Sequence, residues 1–307
     1  MFTGNTINLG SVIDELNSQL IRDVDFSYIG KIPSNLNRRV VPALKPEHVK
    51  SALAYSDIAG IITRPENASL VPKNMGLLVA EDPVTTSLHI HERLCDIDGF
   101  LWKSFDTEIH PTAQIHPSAV IAESDVRIGP GAVVGPFSLI LERSILEEGA
   151  HVGVGVVVGL DAFEIFEGAN PRRILKQAGG VWLERGATVL AKCTLVRATF
   201  GGFTLLQENA MVDVLIHIAH DVILGKNSTV VACAEISGRC ELGEGSYIGP
   251  NACLTNGIKI GKNSKVSLGS VVTRDVADDT VVTGNFAVPH RKWLHFIKSL
   301  AADEIDE

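Results

Sequence analysis

The stretch ISGRCELGEGSYIGPNACLTNGIKIGKNSKV, residues 236–266, repeats one pattern every six residues. An aliphatic residue opens each unit, a small residue often follows it, as in Ile248-Gly249 and Ile260-Gly261, and turn-forming residues complete the six. A period of six matches neither the 3.6-residue period of a helix nor the two-residue alternation of a single strand. The pattern therefore predicts a short strand followed by a tight turn, repeated along the chain.

The same period extends outward from this stretch over most of the chain. Three units of six residues close one triangular coil, and stacked coils form a parallel β-helix whose aliphatic side chains point inward. A first series has one extra residue before Ile128, and a break between Val158 and Leu183 separates it from a second series of twelve consecutive positions. The aliphatic positions are Ile109, Ile115, Ile121, Ile128, Val134, Ile140, Leu146, Val152 and Val158, then Leu206, Val212, Ile218, Leu224, Val230, Ile236, Leu242, Ile248, Leu254, Ile260, Val266 and Val272.

The composition agrees with such an interior. Of the 307 residues, 45% are apolar but only 6% are aromatic, and 28 are glycine. Flat walls lined with uniform aliphatic side chains have little room for rings, whereas an ordinary globular core uses aromatic residues more freely. We therefore expect a mainly β protein built around the parallel β-helix.

The period also divides the chain into three expected segments. Residues 1–105 lack it and read as a small N-terminal α/β domain, residues 106–288 form the β-helix, and residues 289–307 form a short amphipathic C-terminal helix. An excursion at 160–181 interrupts the β-helix, and so long a loop is more often functional than a tolerated insertion. Within the first segment we expect helices at Ile13–Leu20, Pro46–Tyr55 and Thr85–Cys95 and strands at Ala59–Thr63 and Met75–Ala80.

Charge and cysteine content limit the class of protein. The net charge of −9 argues against a nucleic-acid partner, which would show a basic footprint. Five cysteines without a Cys-x-x-Cys pair favour reduced thiols and a cytoplasmic location, and we expect those near the repeats, Cys233, Cys240 and Cys253, to serve packing. No apolar stretch approaches the ~18 residues of a membrane span, and we expect no signal peptide.

His217 and His220 are the residues of the repeats best suited to chemistry. Ile218 is an inward position, so both histidines are expected to face away from the core. Histidine titrates near neutrality, which suits a general base. His-x-x-His can also bind zinc, although this part of the repeat offers no third histidine, and a turn histidine without a role is the third alternative.

The residues around this pair resemble a known family. MVDVLIHIAHDVILG, residues 211–225, resembles the active-site coil of the UDP-3-O-acylglucosamine N-acyltransferases of the lipid A pathway, within the hexapeptide-repeat acyltransferases. AGIIT at 59–63, GLLVAEDP at 76–83, GLDAF at 159–163 and GNFAVPHRKW at 284–293 are similar as well, so the likeness covers nearly the whole chain. The resemblance implies a left-handed β-helix, an N-terminal domain that recognises a nucleotide or acceptor, and a homotrimer with sites between subunits.

The resemblance also implies roles for individual residues. The family's catalytic histidine falls on His220, its carboxylate on Asp213, and the glycine that supplies an oxyanion-binding N–H on Gly238, one coil further on. Asp221 is a second candidate for the orienting carboxylate. The substrate-binding positions implied are His217, Asp221, Asp161, Phe163 and Asn256. Where the family has Phe, Asn and Tyr for nucleotide recognition, this chain has Pro42, Lys45 and His48.

The function implied is transfer of an acyl group from a thioester, on acyl carrier protein or coenzyme A, to the amine of a nucleotide-linked amino sugar. Neither a metal nor a resident cofactor is expected. The candidate phosphate ligands are the basic residues Arg172, Arg173, Lys176, Lys192, Arg197 and Arg274. The alternatives are a coenzyme A-dependent acetyltransferase of a surface-polysaccharide sugar, a catalytically silent ligand-binding homologue and a metal-dependent hydratase.

Overall fold

The computed structural model describes residues 4–13, 16–32, 34–166, 168, 171–284 and 286–302. Its larger part is a prism with three walls, each a sheet of parallel strands two to four residues long. The arrangement is that of a left-handed β-helix. It confirms the parallel β-helix that the six-residue period predicts and the left hand that the family resemblance implies. Successive strands of one wall lie one coil apart in sequence, as in the pairing of Ile218 with Ile236.

The strands of the three walls follow one another in rotation along the chain. The first wall contains Glu108–Ile109, Val126–Ile128, Ser144–Leu146, Gly180–Leu183, Phe203–Leu206, Ile223–Leu224, Glu241–Leu242 and Lys259–Ile260. The second wall contains Gln114–Ile115, Val133–Val134, His151–Val152, Thr188–Val189, Met211–Val212, Thr229–Val230, Tyr247–Ile248, Lys265–Val266 and Val281–Val282. The third wall contains Val120–Ile121, Leu139–Ile140, Val157–Leu160, Thr194–Val196, His217–Ile218, Glu235–Ile236, Cys253–Leu254 and Val271–Val272.

The interior of the prism is filled as the period predicts. All twelve aliphatic positions from Leu206 to Val272 are buried in one core that runs the length of the β-helix. A second inward position, two residues before each aliphatic, carries small residues such as Ala210, Ala234 and Cys240. The first coil is an exception, since Ile109 is 45% exposed because no earlier coil covers it.

The N-terminal part contains a five-stranded sheet in the order Ser18–Arg22, Gly76–Ala80, Ile58–Thr63, Arg39–Ala43, Tyr28–Ile29. Helix α1 spans Pro46–Ala52 and helix α2 spans Pro83–Asp96, which confirms two of the predicted helices. Short 3-10 helices span Leu9–Val12 and Pro65–Leu70, and Ile7–Asn8 pairs with Asp25–Phe26. The predicted strands at 59–63 and 75–80 are present.

The helix predicted at Ile13–Leu20 is wrong. Its second half belongs to the edge strand Ser18–Arg22, which pairs antiparallel with Gly76–Ala80, and residues 14 and 15 lie outside the described ranges. The spacing of Ile13, Leu16 and Leu20 fits a helix, but pairing with an existing sheet satisfies the backbone groups at the same time as it packs Leu20. The strand Arg39–Ala43 escaped prediction because it contains an arginine and a proline.

The excursion at 160–181 packs against the N-terminal part. Phe166 and Leu175 are buried in one apolar cluster with Leu88 and Ile90 of α2, and Phe200 joins them from a second, shorter insertion of the third wall. Within the excursion Ile165–Phe166 pairs antiparallel with Arg173–Ile174, while residues 167, 169 and 170 are outside the described ranges. This packing places the N-terminal part beside the third-wall turn that carries His220.

The C-terminal helix α3 spans His290–Ala302, as the amphipathic pattern predicts. Its apolar side chains Trp293, Leu294, Phe296 and Ile297 are exposed. Residues 303–307 and Asn285 lie outside the described ranges. The division into domains at residues 105 and 288 stays a prediction.

Candidate functional site

Coil stacking brings three predicted site residues into one column. His220, Gly238 and Asn256 occupy the same turn position after consecutive strands of the third wall, and the turns are joined by backbone hydrogen bonds from Arg239 N–H to the His220 carbonyl and from Gly257 N–H to the Gly238 carbonyl. Both loops that interrupt the repeats, the excursion and the insertion around Phe200, leave the third wall just before this column. The loops therefore wall in one corner of the prism.

The imidazole of His220 is held by its neighbour in the chain. Its Nδ1 lies 2.8 Å from Oδ2 of Asp221, and both side chains are mostly buried. Asp221 adopts a left-handed φ of 59°, and its own N–H donates to Oγ1 of Thr204 at 2.9 Å. Since a carboxylate accepts, Nδ1 carries the proton and the neutral ring keeps its lone pair on Nε2. The arrangement leaves Nε2 able to accept a proton while Asp221 fixes the orientation of the ring.

Gly238 leaves the space that the His220 ring occupies. A Cβ placed on Gly238 would lie 2.5 Å from Nε2 of His220, so a side chain here would displace the imidazole. Among the described residues the Gly238 N–H meets no hydrogen-bond acceptor. Other coils place proline, which has no N–H, at the same turn position, for example Pro130 and Pro250. This N–H is therefore free for a ligand.

Asp213 does not join His220 within one chain. Its Oδ2 accepts a hydrogen bond from the N–H of Ala232 at 3.1 Å, and Asp213 does not line the cavity that contains His220. The turn that follows Val212 belongs to the second wall, whereas the turn of His220 belongs to the third. We therefore correct the expected pairing, because Asp221 is the carboxylate that contacts the ring.

Six of the eight predicted site residues line one cavity of about 310 Å³ at this corner. They are Asp161, Phe163, His217, His220, Gly238 and Asn256. Asp161 pairs with Nε of Arg197 at 3.3 Å, and Phe163 is 84% exposed at the rim. Asp221 supports the site from behind His220, through the ring that it holds.

Glu235 is a cavity residue that the sequence analysis missed. It stands directly beside His217 on the next strand of the third wall, and its Oε1 lies 2.7 Å from Nδ1 of His217. The hydrogen bond that His217 donates to Glu235 raises the pKa of His217. The signal was available, since one coil of 18 residues separates positions 217 and 235.

Glu164 was also missed. Its Oε2 lies 4.0 Å from Nε2 of His220, and its other oxygen forms a short ion pair with Lys31 of the N-terminal part. No sequence signal could have joined Lys31 to Glu164, because the contact depends on how the excursion packs. A carboxylate beside the free ring nitrogen favours a cation there, either an imidazolium or a substrate ammonium.

A larger cavity of about 840 Å³ lies between the N-terminal part and the excursion. Phe163 lines both cavities, and Glu164 lines the larger one. Pro42 and His48, predicted at the nucleotide-recognition positions, also line it, whereas Lys45 does not. Its other charged residues are Lys31, Asp82 and Arg239.

Arg239 is the cation that the sequence analysis overlooked. Its Nε is buried without a hydrogen-bond partner, and in the described part of the chain its guanidinium has no carboxylate partner. Three of the predicted phosphate ligands are instead engaged in ion pairs. Arg173 pairs with Glu92 at 2.5 Å, Lys176 forms a short ion pair with Asp96, and Arg197 pairs with Asp161.

The cysteines and a third cavity lie away from this chemistry. Cys240 is buried, as expected for packing, but Cys233 and Cys253 are exposed, which corrects that expectation for both. Burial raises the pKa of Cys240 to about 11. A cavity of about 770 Å³ on the outer face of the first wall is lined by Trp182 and Phe203, and its lining contains carboxylates and arginines but no histidine.

The described residues contain no group of three or more His, Cys, Asp and Glu side chains arranged to hold a metal ion. In the same ranges no helix has both the length and the apolar character needed to cross a bilayer.

Comparison with known proteins relates the chain to one group of enzymes. A curated UDP-3-O-acylglucosamine N-acyltransferase of Caulobacter sp. (strain K31) is 30% identical over 151 residues, which are 49% of this chain and 44% of that protein. One of Syntrophus aciditrophicus (strain SB) is 33% identical over 149 residues, 48% of this chain and 40% of that protein. The matched region thus spans less than half the length of either relative. No protein-family model matches the chain.

Among solved structures, the UDP-N-acetylglucosamine acyltransferase of Francisella novicida aligns with 57% of this chain and 66% of its own, at 19% identity and a TM-score of 0.43. That likeness is too distant to add to the argument. Over about half of its length, this chain is a divergent relative of curated proteins named UDP-3-O-acylglucosamine N-acyltransferase, at about 30% identity.

Proposed function

We propose that the protein is an N-acyltransferase that moves an acyl group from a thioester to the amine of a nucleotide-linked amino sugar. One observation carries the proposal: the His220 ring, bonded to Asp221 through Nδ1, presents Nε2 to a cavity beside the free N–H of Gly238. A base and an oxyanion donor at one point are what acyl transfer to an amine requires. The curated relatives support the same reaction class.

The chemistry follows from the positions of these groups. Nε2 of His220 takes a proton from the sugar ammonium, and the resulting amine attacks the thioester carbonyl. A carbon–nitrogen bond forms, and the carbonyl oxygen becomes an oxyanion bound by the Gly238 N–H. The carbonyl then re-forms as the carbon–sulfur bond breaks. The nitrogen loses its second proton, the sulfur gains one and leaves as a thiol, and the remaining proton goes to solvent. One oxyanion-hole donor is typically worth ~3 kcal/mol of transition-state stabilisation.

The larger cavity supports a nucleotide-linked acceptor. It begins at Phe163, beside the base, and contains Arg239 and His48 as groups that an acidic ligand would contact. The guanidinium fork of Arg239 suits a diphosphate, which accepts two parallel hydrogen bonds. Glu164, 4.0 Å from Nε2 of His220, would draw the cationic ammonium toward the base. Pro42 and His48 stand where the family has Phe and Tyr, so the aromatic platform is absent and the nucleobase is held differently from the family pattern.

The donor is a thioester on acyl carrier protein or coenzyme A, and no covalent enzyme intermediate is part of the proposal. Cys240 is buried in the prism, and Cys95 is part-buried, with its pKa raised to about 12 by burial; neither thiol suits nucleophilic attack. The pantetheine arm would lie along the outer face of the third wall, between adjacent prisms of a homotrimer.

The direct test is release of free thiol from acyl-thioester donors in the presence of nucleotide amino sugars. Acetyl-coenzyme A and acyl carrier protein thioesters are each offered with uridine-, thymidine- and guanosine-linked sugars. We expect release that depends on one acceptor and falls at least ~100-fold in His220→Ala, the size of a general-base contribution. His116→Ala, which removes an exposed turn histidine bonded to Ser118, is the matched control.

The outcome of this assay also separates the alternatives. Activity with acetyl-coenzyme A alone would favour the acetyltransferase. Saturable sugar binding without thiol release would favour a silent homologue, and unchanged turnover in His220→Ala would remove His220 from the mechanism.

A further inference from the structure

The cavity at the corner of the third wall contains two histidine–carboxylate pairs. His220 is held by Asp221 at 2.8 Å, and His217 is held by Glu235 at 2.7 Å. In both pairs the carboxylate contacts Nδ1, which leaves Nε2 of each ring to a ligand. Two rings that share one cavity and one mode of orientation can divide a proton-transfer reaction between them.

The two pairs face different sides of the cavity. His220 lies in the turn, beside the excursion and the larger cavity, and its side chain is 18% exposed. His217 lies in the strand on the outer face of the wall, and its side chain is 44% exposed. An acceptor held in the larger cavity reaches His220 first, whereas a donor lying along the wall reaches His217.

The proposed reaction leaves a proton unassigned at the sulfur. The ammonium loses two protons on its way to an amide, and the thiolate gains one. His220 can carry one proton at a time, so a single base must release its proton before it can take the second. A separate acid at the sulfur leaves both nitrogen protons to His220 but spares it the delivery of a proton to sulfur, because the thiolate is then protonated by the second residue as the carbon–sulfur bond breaks.

We propose that His217, oriented by Glu235, is the general acid that donates a proton from Nε2 to the leaving thiolate sulfur. This inference rests on the proposed function and assigns a second catalytic residue to it. His220 then takes the two nitrogen protons one after the other and releases each to solvent, and His217 recovers its proton from solvent on the exposed face of the wall. The charge changes balance, since one proton reaches sulfur and one leaves to water.

The surroundings of His217 suit an acid. Its neighbour on the preceding strand is Thr194, which is uncharged, and its neighbour on the following strand is Glu235. Across the cavity Asp161 is already paired with Arg197. The hydrogen bond that His217 donates to Glu235 raises the pKa of His217, which keeps the ring protonated closer to neutral pH.

The test varies the leaving group. An alkyl thioester such as acyl-coenzyme A releases a basic thiolate that needs a proton, whereas an aryl thioester of the same acyl group releases an acidic thiol that does not. We expect His217→Gln and Glu235→Gln to lower kcat roughly 10- to 100-fold with the alkyl donor and less than about threefold with the aryl donor. His220→Ala should lose activity with both donors.

The pH profile gives a second readout that a structural role would not move. With the alkyl donor, the alkaline limb of kcat should shift to lower pH in Glu235→Gln, because the carboxylate that raises the pKa of His217 is gone. With the aryl donor that limb should stay where it is. Circular dichroism and thermal melting check that both variants fold.

The outcomes separate this inference from the proposed function. Wild-type protein that transfers from neither donor overturns both. Wild-type protein active with both donors, together with a His217→Gln variant impaired equally on both or on neither, overturns the role of His217 and leaves the proposed function standing.

Discussion

Gly238 stands one coil beyond His220 and faces its ring so closely that a Cβ would lie 2.5 Å from Nε2. The contact explains why a glycine is needed here, since its φ is not in the left-handed region that would otherwise demand one. Gly238 therefore has two uses: it leaves room for the His220 imidazole, and among the described residues it offers an unpaired N–H beside that ring.

Gly238→Ala should impair both uses of this residue without preventing the protein from folding. We expect the added methyl to turn the imidazole away from Asp221 and to lower kcat by about 100-fold, while the melting temperature changes by only a few degrees. Thiol release and thermal melting measure the two quantities. Gly284→Ala is the matched control, because a Cβ there has no neighbour within 4 Å. Full activity in Gly238→Ala would mean that the ring is not held as described.

Asp221→Asn should separate orientation from charge. Asparagine tolerates the left-handed φ of 59° at this position, so the backbone is retained. The amide can donate to Nδ1, which moves the ring proton to Nε2 and removes the base; the same change in a Ser-His-Asp triad costs ~10⁴ in kcat. We expect a loss of at least about 100-fold.

Asp213→Asn is the paired variant for this experiment. Since Asp213 contacts the Ala232 N–H rather than His220, we expect less than about threefold change in kcat. Equal losses in the two variants would return Asp213 to the catalytic group, for instance across a subunit boundary.

His91 should make stability fall at mildly acidic pH. It is fully buried, its Nε2 donates to the carbonyl of Lys176 at 2.8 Å, and burial lowers its pKa to about 4. Between the unfolded value near 6.5 and about 4, the unfolded chain binds a proton that the folded one does not, so stability drops as the pH falls through this window. The full shift corresponds to roughly 3 kcal/mol.

Urea unfolding at several pH values between 7.5 and 4.5 measures this effect. In His91→Gln the free energy of unfolding should depend less steeply on pH than in the wild type, because the titrating group is gone. Parallel curves for the two proteins would show that His91 does not contribute to the acid limb.

Among the charges of the N-terminal sheet, we expect that of Arg39 to matter most for the free energy of unfolding. It is completely buried, forms a short ion pair with Asp57 and lies over the ring of Tyr55. Asp57→Ala leaves a buried guanidinium without its carboxylate, which should lower the free energy of unfolding by about 3–5 kcal/mol. Arg39→Met with Asp57→Ala should cost less than Asp57→Ala alone, because no uncompensated charge remains. Chemical denaturation of the three proteins checks the order.

The prism could be predicted because each of its interactions repeats locally. One inward aliphatic every six residues defines a coil, and residues 18 apart, such as His220 and Gly238, become neighbours by arithmetic alone. The same arithmetic would have placed Glu235 beside His217. The exception in the first coil, Ile109, follows from the end of the stack.

The helix at Ile13–Leu20 failed for the opposite reason. Its apolar spacing is compatible with a helix, and only the sheet edge at Gly76–Ala80 decides that the chain pairs as a strand. Local pattern is a weak guide where a distant segment supplies the hydrogen-bond partners.

Sequence alone therefore determined the β-helix, the column of His220, Gly238 and Asn256, and the likeness to an acyltransferase family, because these depend on a fixed period. Tertiary structure decided which charged side chains lie at the site: the carboxylates are Asp221 rather than Asp213 at the His220 ring and Glu164 beside its Nε2, and the cation is Arg239 at the second cavity. The positions of Glu164 and Arg239 at the second cavity depend on the packing of Phe166 and Leu175 of the excursion against helix α2, about 80 residues away in the chain. The six-residue repeat does not predict this packing, since apolar burial is non-directional and its partners are set by the whole fold.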